Sequence, residues 1–366
     1  MTKRLLAVAC LAIAFSCTDS YYPFNPYYPD NQQDTTQVTP VDSTQVNLPA
    51  DTTQVNPPAD TTQITPPVDT TQVNPPADTT QVTPPAAVSQ PGWAELPVMD
   101  IQKSGKYMVS SSDDSMYYAW HFCPDVKGPG NKLARNYTVC YSAEYHCPVW
   151  VAAPRHSMYV GNSGRTDAYK QDPDIPSDIQ YSSKSTGGGC NKGHMLGSAE
   201  RTCSKATNNQ VFYYTNIAPQ LTTGFNTGGG GWNLLEDYVD TQVCADTLYE
   251  TIGCYFKKYT DGYGFTQVPT VISFGSRTDV SMPTMFYYAL LRTKSGNTHK
   301  SVKDCSSDEL QCVAFVRTHT NSLKGQKPSA QELMSISDLE AITGFTYFPN
   351  VPNAPKSTFN ASDWGL

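Results

Sequence analysis

Three things are scarce in this chain of 366 residues. No apolar run reaches the ~18 residues a membrane-spanning helix needs, which excludes a polytopic helical membrane protein. Charged residues make up only 16%, with no basic excess; the formal net charge is −8. That acidity sits in the first quarter, where residues 1–92 hold eight acidic and two basic side chains, leaving 25 acidic and 23 basic for the rest. A nearly neutral remainder excludes a strongly basic nucleic-acid scaffold, but not an enzyme that grips phosphate locally. CxxC-like spacing is missing among the 11 cysteines, which argues against zinc.

What is present begins with an address. Lys3 and Arg4 precede an apolar stretch over residues 5–15, too short to span a bilayer. This reads as a secretory signal. Ala14-Phe15-Ser16-Cys17 resembles the lipobox of bacterial lipoproteins. Residues 1–16 are then expected to be a removed signal peptide. Cys17 is expected to carry lipid and to anchor the exported protein to a membrane, in the periplasm or at the cell surface.

Residues 17–92 read as a stalk. From Asp42 a nine-residue unit close to D-T-T-Q-V-N-P-P-A recurs through residues 42–50, 51–59, 60–68 and 69–77 and restarts at Asp78. One aliphatic residue per unit cannot build a core. The prolines favour an extended, polyproline-like linker whose ~50 residues reach on the order of 150 Å. Its Asp-Thr-Thr units resemble a bacterial O-glycosylation acceptor.

Residues 93–366 are dense in aromatics and long enough for one core. Strands are expected over residues 136–145, 149–153, 211–215, 268–274, 286–292 and 310–318. One helix is expected from Trp232 to about Tyr249. A second is expected from Ser337, with Ser337 and Glu340 as a capping box and Gly344 as the stop. The class is α+β with mostly antiparallel strands. Nine cysteines lie beyond the signal and lipobox, and in an exported chain they suggest disulfides with one thiol left over. Cys305 with Cys312 and Cys244 with Cys254 are close pairs in sequence.

The chemistry gathers between Cys190 and Glu236. Asn191-Lys192-Gly193-His194-Met195 is followed by Tyr214-Thr215-Asn216-Ile217-Ala218-Pro219-Gln220, then Asn226, then Trp232-Asn233-Leu234-Leu235-Glu236. A histidine after a glycine can serve as general base toward water. Asparagine and glutamate oxygens suit Mg²⁺, which keeps much of its water and takes few protein ligands. Lys192 and nearby arginines can hold phosphate oxygens. Base, hard cation and cationic clamp are what phosphodiester hydrolysis requires.

Together these segments resemble the DNA/RNA non-specific endonuclease family, the ββα-metal (His-Me finger) nucleases related to Serratia nuclease and mitochondrial endonuclease G. The family pattern runs D-R-G-H, S-N-I-x-P-Q, a second Asn and W-x-x-L-E. Upstream, residues 165–173 (R-T-D-A-Y-K-Q-D-P) resemble its R-x-x-x-F/Y-x-x-D segment. Downstream, residues 337–348 resemble its terminal helix. The resemblance covers about residues 115–350. It implies a central, mostly antiparallel sheet flanked by helices, and a Mg²⁺-dependent endonuclease, with Mn²⁺ as a substitute ion, acting on DNA and RNA. It assigns His194 as general base, Asn226 as metal ligand, Asn216 to orienting the histidine region, Glu236 to metal-bound water, and Arg165 and Lys192 to phosphate. No protein partner is implied.

The departures are specific. Asn191 and Lys192 stand where the family has Asp and Arg, and lysine lacks the bidentate fork. Four glycines lengthen the gap from Asn226 to Trp232. Asp240 stands where an arginine is expected, leaving Arg155 or Arg201 to substitute. These departures also suit a competing reading, a catalytically degenerate nuclease fold serving as a nucleic-acid-binding or surface adhesion module. Intact His194, Asn216, Asn226 and Glu236 favour the enzyme.

Overall fold

The computed structural model describes residues 87–127 and 131–366. The signal peptide, Cys17 and the repeats up to residue 86 lie outside the described residues. Residues 87–92, expected to close the stalk, are part of the fold: Ala87 and Val88 pair with Gln102 and Ile101, and Met99 N–H donates to Gln90 Oε1 at 2.8 Å.

The frame is a ten-stranded antiparallel sheet. In spatial order it runs β1 (Ala87–Val88), β2 (Ile101–Ser104), β3 (Tyr107–Ser110), β4 (Met116–Lys127), β5 (Leu133–Ser142), β6 (Cys147–Arg155), β9 (Leu248–Tyr255), β14 (Met285–Thr293), β15 (Leu310–Thr318) and β16 (Leu333–Met334). Three two-stranded units lie outside it: β7 (Cys190–His194) with β8 (Ile217–Leu221), β10 (Tyr259–Thr260) with β11 (Thr266–Gln267), and β12 (Thr270–Phe274) with β13 (Arg277–Met282).

The middle of the sheet is covered on both faces, which is why its strands are apolar runs rather than alternations. On β14, Phe286, Tyr288 and Leu290 point to one side, where they join Trp232, Leu235 and Val239 of α2 (Gly231–Asp240). Met285, Tyr287, Ala289 and Leu291 point to the other, against Ile336 and Leu339 of α3 (Ile336–Thr343). The period of two separates the layers. Each large apolar side chain so buried contributes about 1.5–3 kcal/mol.

Several local expectations are corrected. Residues 211–215 are no strand. They follow the short helix α1 (Lys205–Gln210), capped by the Ser204 hydroxyl, and run into a 3₁₀ turn at Tyr214–Asn216. Helix α2 stops at Asp240, not near Tyr249. Thr241 caps it, and the Asp246 carboxylate then fixes a reversal by accepting the N–H groups of Thr298 and His299 at 2.8 and 2.9 Å. The next residues become the central strand β9. Helix α3 is capped by Ser335, whose Oγ accepts Asp338 N–H at 3.0 Å, so Ser337 and Glu340 form no capping box; Glu340 pairs with Lys356 instead. Gly344 ends α3 at φ 81°, as expected.

Candidate functional site

The site grows from the β7–β8 hairpin, whose register sets His194 opposite Ile217 and Asn191 opposite Gln220. Strand alternation sends Cys190, Lys192 and His194 to one side and Asn191 and Gly193 to the other. Gly193 has a steric reason: a Cβ there would overlap the Gln220 side chain.

On the first side the structure brings together His194, Lys192 and Arg165. The imidazole packs 4.9 Å from the Phe212 ring and 5.9 Å from Tyr169. It is 9% exposed, and its Nε2 is buried with no hydrogen-bond partner. Burial, with the charges of Arg165 and Lys192, pushes its pKa down to about 3 against the pull of Asp167. His194 is therefore a neutral base. The Lys192 ammonium lies 5.4 Å from the centre of the Tyr169 ring, and Arg165 lies over Phe212 at 4.8 Å. Arg165 is oriented by Asp167 Oδ1 at 2.8 Å and by the Tyr169 hydroxyl at 3.1 Å. A third cation, Lys184, lies 5.2 Å from the same Tyr169 ring. No motif spacing marks it. It reaches the patch because Lys192 Nζ donates to the Lys184 carbonyl at 3.3 Å, tying its loop to β7.

On the second side stand three amides. Asn226 Nδ2 donates to Gln220 Oε1 at 2.5 Å, and Asn191 Nδ2 donates to Asn226 Oδ1 at 3.3 Å. Asn226 closes a single π-type turn (Thr222–Asn226), and Gly228 and Gly229, at φ 62° and 78°, carry the chain from it to α2. The glycine-lengthened gap thus sets Asn226 apart from the helix start.

Asn216 lies beneath the hairpin, fully buried. Its Oδ1 accepts Leu196 N–H at 3.0 Å, and its Nδ2 donates to Leu196 O and Val211 O at 2.9 and 2.8 Å. It therefore holds the backbone two residues beyond His194. Glu236 lies on α2, one turn after Trp232, and its carboxyl is pushed well above the usual range by burial and then by Glu200. The two arginines expected to substitute are occupied: Arg155 is buried against Glu200, Glu250 and Asp240, and Arg201 against the carbonyls of Pro154 and Asn136.

Sequence reading passes over His319. Its Nδ1–H donates to Pro283 O and its Nε2 accepts Leu221 N–H, both at 2.8 Å, a tautomer fixed because an amide can only donate. Asn321 Oδ1 accepts Gly224 N–H at 2.9 Å. These two side chains cradle the turn that carries Asn226. Burial pushes His319 down to about 4. The unfolded chain binds this proton near pH 6.5, so its contribution to stability is complete above that pH and is lost as pH falls toward 4. Replacing His319 with alanine orphans the buried Pro283 carbonyl, at about 1–3 kcal/mol, and the half-buried Leu221 N–H, at less, and is expected to weaken divalent binding. Urea melts at pH 7.5 and 5, with metal titrations, check both effects; unchanged stability and metal affinity would refute them.

A His121–Asp172–Asp174 grouping is compact enough to share an ion. However, Asp172 Oδ2 already takes His121 Nε2 at 2.9 Å and the Thr215 hydroxyl at 2.7 Å. It ties Thr215, next to Asn216, to β4. None of the nine described cysteines is bridged, neither Cys305 with Cys312 nor Cys244 with Cys254. Cys254 sits instead against Met195, and the Cys244 thiol donates to Asp246 O.

The sequence pattern described as DNA/RNA non-specific endonuclease matches residues 121–354. Human mitochondrial nuclease EXOG is 24% identical over 253 residues, 68% of this chain and 64% of that protein. Nuclease C1 of Cunninghamella echinulata var. echinulata is 24% identical, covering 58% of this chain and 80% of its own. Bovine mitochondrial endonuclease G is 21% identical, covering 60% and 69%. Among solved structures, a chain of the EndoG/EndoGI complex shows 22% identity and a TM-score of 0.48, covering 61% of this chain and 86% of its own. The chain thus spans just under two thirds of the human relative's length.

Proposed function

The chain belongs to the DNA/RNA non-specific endonuclease family, and on that premise we propose that it is an exported, metal-dependent endonuclease cleaving DNA and RNA with little sequence preference. The observation that carries the reading is the unpartnered, neutral His194 beside three cations. Burying an imidazole nitrogen without a partner costs about 1–3 kcal/mol, a cost that catalysis explains and packing does not.

His194 accepts the proton of the attacking water. Arg165 and Lys192 hold phosphate oxygens, with Phe212 and Tyr169 fixing their side chains. Contacts to phosphate carry no sequence information, hence the broad substrate range. Asn216 is a positioning residue acting through Leu196. Glu236, on α2, would hold metal-bound water.

The amide face fits a hard divalent ion. Its donors are neutral oxygens with no carboxylate, suiting a cation that keeps most of its water and binds firmly together with phosphate. Asn226 Oδ1 would hold Mg²⁺, or Mn²⁺ in its place. Bound there, the ion would supply charge neutralisation at the leaving 3′-oxygen. The signal and Cys17 would export and anchor the protein, with the repeats holding the nuclease clear of the membrane.

The test is incubation of the purified protein with plasmid DNA and with RNA. Cleavage of both in Mg²⁺ and of neither in EDTA is expected. Cleavage that survives EDTA removes the metal from the proposal. A folded protein that binds nucleic acid without cutting it turns the reading to the binding module. A finer prediction concerns salt. Arg165→Ala and Lys192→Ala should each lower the slope of log affinity against log salt by about 1 and weaken DNA and RNA alike. Unchanged slopes would show that neither side chain touches phosphate.

A further inference from the structure

We propose that Cys123 and Cys203 form a disulfide in the mature protein, and that it is the single disulfide among the nine described cysteines. The inference stands apart from the nuclease reading.

The two backbones are stitched together on both sides of the thiols. Cys123 on β4 is fully buried and packs with Ala134 and Tyr159. Cys203 N–H donates to the carbonyl of the same Tyr159 at 2.9 Å. One residue on, the Ser204 hydroxyl donates to Asp125 Oδ1 at 2.5 Å, and Thr207 Oγ1 reaches the same oxygen at 3.4 Å. Between these anchors the Cys123 and Cys203 thiols lie close enough to perturb one another, and the Cys123 thiol also points at Arg135 O, 3.9 Å away. The bridge closes a loop of about 80 residues.

The chemistry is asymmetric in a useful way. Cys203 is half-buried and its thiol is pulled down, first by the Cys123 thiol and then by Thr207 and Arg201. Cys123 is pushed up by Cys203 and by burial. With a small-molecule disulfide such as oxidised glutathione as oxidant, the Cys203 thiolate attacks one glutathione sulfur and expels the other as a thiolate. Cys123, giving its proton to solvent, attacks Cys203 Sγ and expels the second glutathione. Two protein thiols become one disulfide, and one oxidised glutathione becomes two reduced.

The other juxtaposed pair differs. Cys147 and Cys254 also touch, on neighbouring strands β6 and β9. There Trp150 faces Gly253 and Val151 faces Ile252, so Cys254 faces position 149 and lies diagonal to Cys147. A diagonal offset does not give the Cβ separation a bridge requires, and the Cys254 thiol lies against Met195 Sδ at 3.6 Å. This pair is the internal control.

The bridge would also serve the site. It would clamp β4 to the start of α1, whose Asn208 accepts Thr166 N–H at 3.0 Å beside Arg165 and donates to Ser198 O at 2.8 Å.

The test treats the purified full chain with oxidised glutathione, then alkylates it in denaturant and maps peptides without reduction. A cross-linked peptide holding Cys123 and Cys203 is expected, with Cys140, Cys147, Cys190, Cys244, Cys254, Cys305 and Cys312 all alkylated. Oxidation should raise Tm by on the order of 5–10 °C, and reductant should reverse it. Cys203→Ser should abolish that rise, and Cys147→Ser should keep it. Full alkylation of Cys123 and Cys203 in a folded protein, or a bridge between other cysteines, would overturn the proposal.

Discussion

Replacing His194 with alanine is expected to lower the cleavage rate by about 10²–10⁴-fold, the usual range for a positioned general base, without loosening divalent binding. The second half follows from the hairpin: His194 leaves one face of β7, and Asn226 reaches the amides on the other. Metal titration of the variant should match the parent, whereas Asn226→Ala should weaken metal affinity and leave the histidine's environment intact. A His194→Ala enzyme that still cuts within tenfold of the parent would remove the imidazole from the mechanism.

The acid side of the pH profile makes the same assignment testable. Burial, Arg165 and Lys192 hold His194 near 3, far below the ordinary imidazole near 6.5. The free enzyme keeps an unprotonated base as pH falls through 6, so the acid limb of kcat/KM should lie well below pH 6. Bound phosphate offsets the two cations and raises the imidazole pKa, so the kcat limb should lie at higher pH. Stability runs in the opposite sense to this catalytic tolerance. The unfolded chain takes up the His194 proton near 6.5 and the folded chain refuses it until about 3, so the protein loses stability across that window. The alanine variant should show a shallower acid slope in urea melts. A limb at 6.5 in both kinetic parameters would mean the imidazole is solvated, contrary to its packing.

The boundary between what was legible and what was not follows from how the groups are assembled. Strand β15 could be read residue for residue from 310 to 318 because burial on both faces makes its middle, Cys312 to Val316, one apolar run. Strand β4 escaped notice because Pro124 and the register shift at His121 and Phe122 break its alternation. The histidine motif was legible because its parts lie on one hairpin. Lys184 and His319 were not, since only the tertiary fold brings them to Tyr169 and Leu221. Helix α2 was read too long because the pattern of Trp232, Leu235 and Val239 shows where a helix packs. Its end is set by an Asp246 turn built with residues some fifty positions away. Cysteine connectivity stays open in the sequence for the same reason: Cys123 and Cys203, about 80 residues apart, are brought near one another only by contacts through Tyr159 and Asp125.

Asn216→Ala should be the most destabilising single change around the site. The side chain satisfies one buried N–H and two buried carbonyls, at Leu196 and Val211, and alanine leaves all three without partners. At about 1–3 kcal/mol per orphaned group, a loss of roughly 3–9 kcal/mol is expected, a large share of the ~5–15 kcal/mol that holds a domain together. Asn216→Asp should be no milder, because its carboxylate keeps the Leu196 N–H but faces two carbonyl oxygens. The position also has a catalytic readout that a packing residue lacks. Met195 N–H donates to the Asn216 carbonyl at 2.9 Å, so residue 216 grips the chain at both residues after the base. Measured below its melting transition, the variant should lose kcat while KM and metal affinity hold, since the phosphate clamp and the amide face are anchored elsewhere. If the folded fraction keeps full kcat, Asn216 supports only the fold. If Tm falls by less than about 2 °C, the three hydrogen bonds do not carry the load their burial implies.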